Sequence, residues 1–591
     1  MKTSKIITLI LASVLLFGCS RTQIQEPEIT KSELYKHIEF LASDSLKGRY
    51  PGTPESTIAA QYIAKEFKKG KLSLLENKGL QNFTITTNIK TGVNNHFTIA
   101  DEVFTLKNDY IPLSFSANKS LNSEIVFAGY GFNINIDSIK WNDYSNIDAK
   151  GKWVLILRGD PEMDKNDSEF IPYSTDRGKV LVAEEQNAGG VLLVSGHEFS
   201  KNDKLEKLKS PQGNVNIPVI QITREVANKI LSKKNTSIQN LEEKLNNTHT
   251  PNSFTTDAKL NASSELVLKR TNTQNVVAEL ICNKKSKDYI VIGGHYDHLG
   301  FGGSHTGSRV PNVHAIHNGA DDNASGISAM IEIAEKLSSI KDSLKTNFIF
   351  TAFGAEEVGL LGSKYFVDNP SIKISNIKAM INIDMIGRLK PDSSLQIGGI
   401  GTSEKGKDIV KSTNYKQRFH LALSPEGHGP SDHSSFYSKD IPVFFISTGA
   451  HMDYHTPADT IGAINFDGLL DVSKYISDIA VKIANLDSNL VFQEAGPKAD
   501  SKKHRNFNVT LGIMPDFSGF EKRGLKAELV IKGKPAYIAG MQNGDIITAI
   551  NGKNLRDIYE YMERLSKLHT GQTITVEVIR KNKKEVLIVQ L

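Results

Sequence analysis

Cysteine is nearly missing from this 591-residue chain, which has only Cys19 and Cys282. That excludes a disulfide framework and a Cys-rich zinc module. Any metal chemistry has to use His, Asp and Glu. An excess of charge of one sign is missing too. Lys and Arg total 71 against 66 Asp and Glu, a formal +5, so composition gives no electrostatic reason to expect nucleic acid as a partner. Beyond the amino terminus no apolar run is long enough to cross a bilayer as a helix. At 39% apolar and 23% charged residues, the chain is neither disordered nor collagen-like in the main. Its length corresponds to about four domains.

The amino terminus reads as a targeting segment. Lys2 and Lys5 precede an apolar run from Ile6 to Phe17, too short for a stable span but suited to a signal-peptide core. Leu16-Phe17-Gly18-Cys19 resembles a bacterial lipobox, with Phe17 bulkier than the usual residue there. The resemblance implies a signal peptide over residues 1–18, cleavage before Cys19, and membrane attachment through lipid on the Cys19 thiol. Ser20 is compatible with outer-membrane sorting, so the expected location is the cell envelope, facing the periplasm. With Cys19 modified, Cys282 has no partner for an intrachain disulfide.

Local patterns divide the rest. Ser32–Leu41 and Ala59–Phe67 have helical spacing. Ile125–Phe127, Trp153–Leu157, Gly190–Val194 and Val219–Ile222 are short β-rich runs between polar turns, and Lys201–Lys209 and Glu242–Thr250 read as polar surface segments. From about Asn275, apolar strands (Tyr289–Ile292, Asn347–Phe353, Ala379–Ile383, Val443–Ile446) alternate with helices such as Ala324–Leu337. That predicts an α/β fold, a mostly parallel sheet with helices on both faces. After a polar linker at 493–506, β-like runs and a helix at Ile558–Leu568 predict a separate small domain over 507–591.

Polar residues gather at the strand ends, where ligands bind in parallel α/β sheets. Tyr289–Ile292 runs into His295 and Asp297, Asn347–Phe353 into Glu356-Glu357, and Ala379–Ile383 into Asp384. Val443–Ile446 leads to His451 and His455, and Asp321-Asp322 opens the helix at Ala324. Imidazoles and carboxylates suit zinc, and several carboxylates suit two cations close together. One of Asp321 or Asp322 can bridge them. Asp297, two residues beyond His295, can accept the other imidazole N–H. Of the adjacent Glu356 and Glu357, one can bind metal while the other shuttles protons. This is the equipment of metal-assisted hydrolysis, with metal-bound hydroxide as nucleophile and a carboxylate as base. Asp-Asp before a helix is ordinarily an N-cap, and Glu-Glu in a loop is ordinarily solvated. The joint pattern carries the reading, not the single pieces. His298, His305, His314 and His317 crowd one loop and read as pocket or structural residues.

These segments carry a family resemblance. Gly294-His295-Tyr296-Asp297, Asn318 to Gly326, Ala355 to Ser363, Asn382 to Gly387 and His455 to Thr460 resemble the motif series of metallopeptidase family 28 over roughly Leu266–Asn485. Phe40-Leu41-Ala42-Ser43-Asp44 and Gly48-Arg49-Tyr50-Pro51-Gly52-Thr53 resemble that family's amino-terminal segment, so the peptidase domain is split, 19–118 and 251–492, around an insertion. The resemblance implies a zinc exopeptidase fold with two Zn2+ per chain. One ion is held by His295 and Asp384, the other by Glu357 and His455. Asp321 bridges, with a cis peptide to Asp322. Glu356 is the general base, Asp297 orients His295, and His433 binds substrate.

Residues 119–250, with Gly151 to Gly159 and Ala188 to Val194, resemble a protease-associated domain that shapes the cleft. The carboxy-terminal unit resembles a PDZ domain, with Leu511-Gly512-Ile513 as the loop that captures a peptide's carboxylate tail. The function implied is an aminopeptidase acting on peptide substrates. Glutaminyl cyclase, carboxypeptidase and a non-catalytic, transferrin-receptor-like binding scaffold share the architecture.

Overall fold

The computed structural model describes residues 28–163, 165, 168–208, 215–283, 285–303, 306–496, 509–515, 523–555, 558–566, 568 and 571–591. Cys19, Ser20 and His305 lie outside them. Among the described residues three large sheets and one two-stranded ribbon, Asn133–Asn135 with Lys140–Asn142, organise the chain.

The largest sheet has nine strands among the described residues. At its centre Asn347–Phe353, Tyr289–His295, Ile377–Ile383 and Val443–Ser447 run parallel in that spatial order. Leu266–Leu280 joins one side antiparallel and Ser394–Gly398 the other. The sheet is therefore mixed: its four central strands are parallel, and Ser394–Gly398 pairs parallel with the outer strand His420–Leu423 beyond the antiparallel junction. Strand residues are apolar on both faces because both faces are covered. Ile290 and Ile292 pack with the helices Lys31–Leu41, Pro54–Lys69, Gly326–Ser339 and Phe466–Ala484. Val291 points the other way, toward Leu361–Asp368 and His433–Tyr437. Thr30 and Thr53 cap the first two helices through their hydroxyl oxygens, and Pro54 fits the first helical turn, where its missing N–H costs nothing.

The insertion hangs from a ribbon. Leu80–Thr91 pairs antiparallel with Leu266–Leu280 from Leu80↔Val276 out to Thr91↔Leu266, and the inserted chain lies between its ends. The insert's eight-stranded sheet includes His96–Ile99, Glu102–Val103, Tyr110–Pro112 and Ser253–Ser264 beside the β runs read from sequence. It is thus wider than 119–250, because Ser253–Ser264 returns to pair with both His96–Ile99 and Lys119–Ala128. Residues 242–248, read as a polar surface segment, belong to the amphipathic helix Ile238–Thr248, whose Ile238, Leu241 and Leu245 are buried.

The carboxy-terminal unit is a six-stranded sheet with its own core around Ile547, Val576, Val578 and Val589. Ile513–Pro515 lies at one edge and Lys583–Gln590 at the other. It touches the catalytic domain through Glu528, which accepts hydrogen bonds from Lys390 and, at 3.2 Å, from Gln396.

Candidate metal centre

His295 ends the strand Tyr289–His295, and its Nε2 lies 3.2 Å from Asp322 Oδ1 and 3.4 Å from Asp384 Oδ1. His455 Nε2 lies 3.2 Å from Asp322 Oδ2 and 3.2 Å from Glu357 Oε2. The two oxygens of Asp322 therefore face opposite halves of the site. Ligand atoms of His295, Glu356 and Glu357 also fall within 4.8 Å of one another. Five separate segments converge at the carboxyl ends of the sheet, as the strand-end argument expects.

The bridging position is a correction. The side chain placed between the two sets of ligand atoms is that of Asp322, not Asp321, and the cis peptide is Asp322–Asn323 rather than Asp321–Asp322. Asp321 turns into the protein, where Oδ1 accepts from the Gly387 N–H at 2.6 Å and the Ser325 hydroxyl at 2.9 Å, and Oδ2 faces His451 Nε2 at 3.2 Å. The reason is backbone geometry. Asp459 accepts the successive N–H groups of Asp321 and Asp322 with one carboxylate, at 3.0 Å each. Asn323 donates to the Ile383 carbonyl and accepts from the Met385 N–H, so it fixes both sides of Asp384. Only Gly319 fits the turn before them: φ is 58°, and a Cβ there would lie 2.2 Å from the Asp322 carbonyl oxygen.

Asp297 also acts differently from the expectation. His295 Nδ1 donates to the Asp297 carbonyl at 3.1 Å, whereas the carboxylate is 3.9 Å away. That carboxylate instead accepts the N–H groups of Glu356 at 3.0 Å and Glu357 at 3.3 Å. It positions the two-glutamate turn. His298, one of the loop histidines, sits beside the site: its Nδ1 is 2.7 Å from Glu357 Oε1. His314 stacks on Phe301, and His317 meets the Ala315 carbonyl and the Ser308 hydroxyl, both within its own loop. His433 is not brought into the cluster. It is buried, stacked on Phe445 at 4.7 Å between ring centres, and burial pulls it down to about 3, so it stays neutral.

Sequence reasoning assigned no role to Arg49, although it quoted the residue within a motif. The guanidinium is fully buried and donates to the carbonyls of Leu41, Tyr296 at 2.7 Å, Asn318 at 2.7 Å and Gly319 at 3.0 Å. It ties the amino-terminal segment to the turns behind His295 and Asp322. Burial lowers it to about 10, so it remains a cation, and Asp322 and Asp297 favour that charge. Arg309 likewise donates to the carbonyls of Met452 and Tyr454 and holds the loop that presents His455.

The site's charge calls for cations. Burial, then Glu357, Asp432 and Asp384, push Glu356 well above the usual carboxylate range, although His295 pulls it down. Burial raises Asp297 to about 7. Against its own burial, Glu357 and Asp322 hold His455 up to about 11. Carboxylates packed this closely repel unless positive charge stands between them. Imidazole and carboxylate donors suit zinc, and ligand atoms about 2.0–2.2 Å from a tetrahedral ion stand roughly 3.4 Å apart. The 3.2–3.4 Å gaps around Asp322 match that spacing. The residues present fit the ion.

Residues 275–480 match Peptidase family M28, residues 122–230 a PA domain and residues 514–591 a PDZ domain. The chain is 26% identical over 437 residues to Aminopeptidase YwaD of Bacillus subtilis, covering 72% of this chain and 79% of that protein. It is 26% identical over 262 residues to Aminopeptidase Y of Saccharomyces cerevisiae, 42% of this chain and 44% of that one. Among solved structures, an aminopeptidase from Aneurinibacillus sp. strain AM-1 aligns with 24% identity and a TM-score of 0.46, covering 79% of this chain and 97% of the other. The chain thus carries a peptidase domain that matches family M28, together with a PA domain and a carboxy-terminal PDZ domain.

Proposed function

We propose that this chain is a zinc-dependent aminopeptidase that holds two Zn2+ ions and removes residues from the amino end of peptides. The observation that carries the reading is Asp322, whose two oxygens face two separate imidazole–carboxylate sets. His295, Asp322 and Asp384 would hold one ion, and Asp322, Glu357 and His455 the other. Bound zinc supplies Lewis acidity, which polarises the scissile carbonyl and makes water acidic enough to deprotonate near neutral pH.

The chain's own residues do the rest. Glu356 is the base: it stands beside His295 and Glu357, at the edge of the ligand sets. It takes the proton of the attacking water and returns it to the leaving amine. Asp297 keeps Glu356 in place through the backbone, and Arg49 and Asp459 hold the turns that carry the ligands.

The mature protein is anchored through lipid on Cys19 in the cell envelope, at the outer membrane and facing the periplasm. The basic, apolar and Gly-Cys order of the first residues supports this. Among the described residues no helix is long and apolar enough to cross a membrane. The PDZ domain receives the carboxy-terminal tail of a peptide at Leu511-Gly512-Ile513, a reading supported by the edge position of Ile513–Pro515.

A peptide-library digest read by mass spectrometry, with and without chelator, tests the activity. Stepwise loss of amino-terminal residues, abolished by chelator and restored by zinc, is the expected result. Cyclisation of glutaminyl peptides, carboxy-terminal trimming, or no turnover by zinc-loaded protein would each overturn it.

A further inference from the structure

Asp297 and His298 are neighbours just beyond the strand Tyr289–His295, and both reach Glu357. Asp297 accepts the Glu357 N–H at 3.3 Å and so places its backbone. His298 meets the side chain: its Nδ1 lies 2.7 Å from Glu357 Oε1. The other oxygen, Oε2, faces His455 Nε2 at 3.2 Å. The two oxygens of Glu357 thus have different partners, one inside the second ligand set and one in the His298 ring. That ring is fully buried. A Cβ at position 319 would lie 2.6 Å from its Cγ and Cδ2, so a glycine there makes room for it. Its Nε2 is buried without a hydrogen-bond partner among the described residues.

Distance decides what His298 does. Ligand atoms of His298, Asp322 and Glu357 fall within 4.8 Å of one another, which by itself would admit the imidazole as a further ligand. Two ligands of one tetrahedral zinc stand roughly 3.4 Å apart. The 2.7 Å between Nδ1 and Oε1 is too short for that and is the length of a hydrogen bond to a charged acceptor. A carboxylate oxygen accepts, so Nδ1 carries the proton. We propose that His298 is a positioning residue for the second ion: its Nδ1–H holds Oε1 of Glu357, so that Oε2 alone is presented beside His455 and Asp322. The proposal rests on the two-ion reading above. Its effect falls on one ion, because the side chains of His295 and Asp384, which serve the other, meet each other and Asp322. Removing a group that supports a metal ligand typically costs about 10–100-fold in affinity.

Zinc titration of the full-length chain in mild detergent, against a chromophoric chelator, tests this. Wild-type protein should take up two ions. His298→Leu fills the space without a donor and should weaken one of them by about 10–100-fold. The undisturbed ion is the internal control for folding. His298→Asn carries an amide N–H on the same Cγ as Nδ1 and should recover most of the loss. The weakened ion should be the one that Glu357→Gln loses, and His298→Leu combined with Glu357→Gln should lose little more than Glu357→Gln alone, because the two side chains act as one unit. Two ions in wild type with no loss in His298→Leu, equal weakening of both, or full additivity in the double variant would overturn the proposal alone. His298→Asn as damaging as His298→Leu would also overturn it and make the imidazole a direct ligand. A single ion in wild type would sink the two-ion reading, and the proposal with it.

Discussion

At the scale of single residues, Asp321 and Asp322 separate two tasks that their adjacency conceals. Asp322→Asn is expected to reduce bound zinc by more than half, because both halves of the site lose a charged ligand. Asp321→Asn should keep its zinc, since that side chain is spent on Gly387, Ser325 and His451. Elemental analysis of the two purified variants decides between them. Glu356→Gln should retain zinc yet lose roughly 10²–10⁴-fold in kcat, the usual range for a positioned acid–base group. The sequence made the residue types and their strand-end placement readable, because a period-2 strand and a polar terminus are local signals. Which of two neighbouring aspartates faces the ions was not readable. That choice rests on Asp459, more than a hundred positions along the chain. Arg49 escaped for the same reason: its partners are backbone carbonyls, which every residue has.

At the scale of elements, the turns behind the ligands matter as much as the strands. Asp459 accepts two consecutive N–H groups with one carboxylate. Asp459→Asn should weaken zinc binding by about 10–100-fold, measured by competition with a chromophoric chelator, as loss of groups that support metal ligands typically does. The four central parallel strands and three of the helices on the catalytic core were legible from apolar runs and spacing. The helix Phe466–Ala484 was not assigned, although Leu469, Val472, Ile476, Ile479 and Ile483 follow its core face. The strands Leu80–Thr91 and Leu266–Leu280 were missed because much of their length is polar: a two-stranded ribbon with solvent around it needs little apolar surface. In the inserted domain, burial lifts the Asp143 carboxyl to about 7, although the Phe132 N–H bonded to it at 2.9 Å acts against this. An unfolded Asp titrates near 3.9. The stability tied to its neutral form is therefore complete below about pH 4 and lost as pH rises through about 7. Relative to Asp143→Asn, hydrogen-exchange protection of Trp153–Leu157 should fall by on the order of 2–4 kcal/mol between those limits.

At the scale of the molecule, the catalytic core depends on charge brought in from outside the chain. Stripping zinc should abolish turnover and lower the melting temperature of the M28 domain, whose buried carboxylates then face one another. Calorimetry before and after zinc is added back measures this. Cys19→Ala should move the protein from the membrane pellet to the soluble fraction without changing kcat for a soluble peptide, and fractionation with a parallel assay checks both halves. Domain order was legible because each unit keeps its own hydrophobic pattern, whereas the limits of the insertion were not, since Ser253–Ser264 looks like a peptidase strand until its pairing is seen. Both strands of the ribbon leave and rejoin the sheet side by side, with Thr91 opposite Leu266. The PA domain is thus grafted through one point of entry. A short hairpin turn spliced between those two positions would seal the scaffold, so the accessory module is removable cargo and the hydrolytic engine needs no redesign to lose or exchange it.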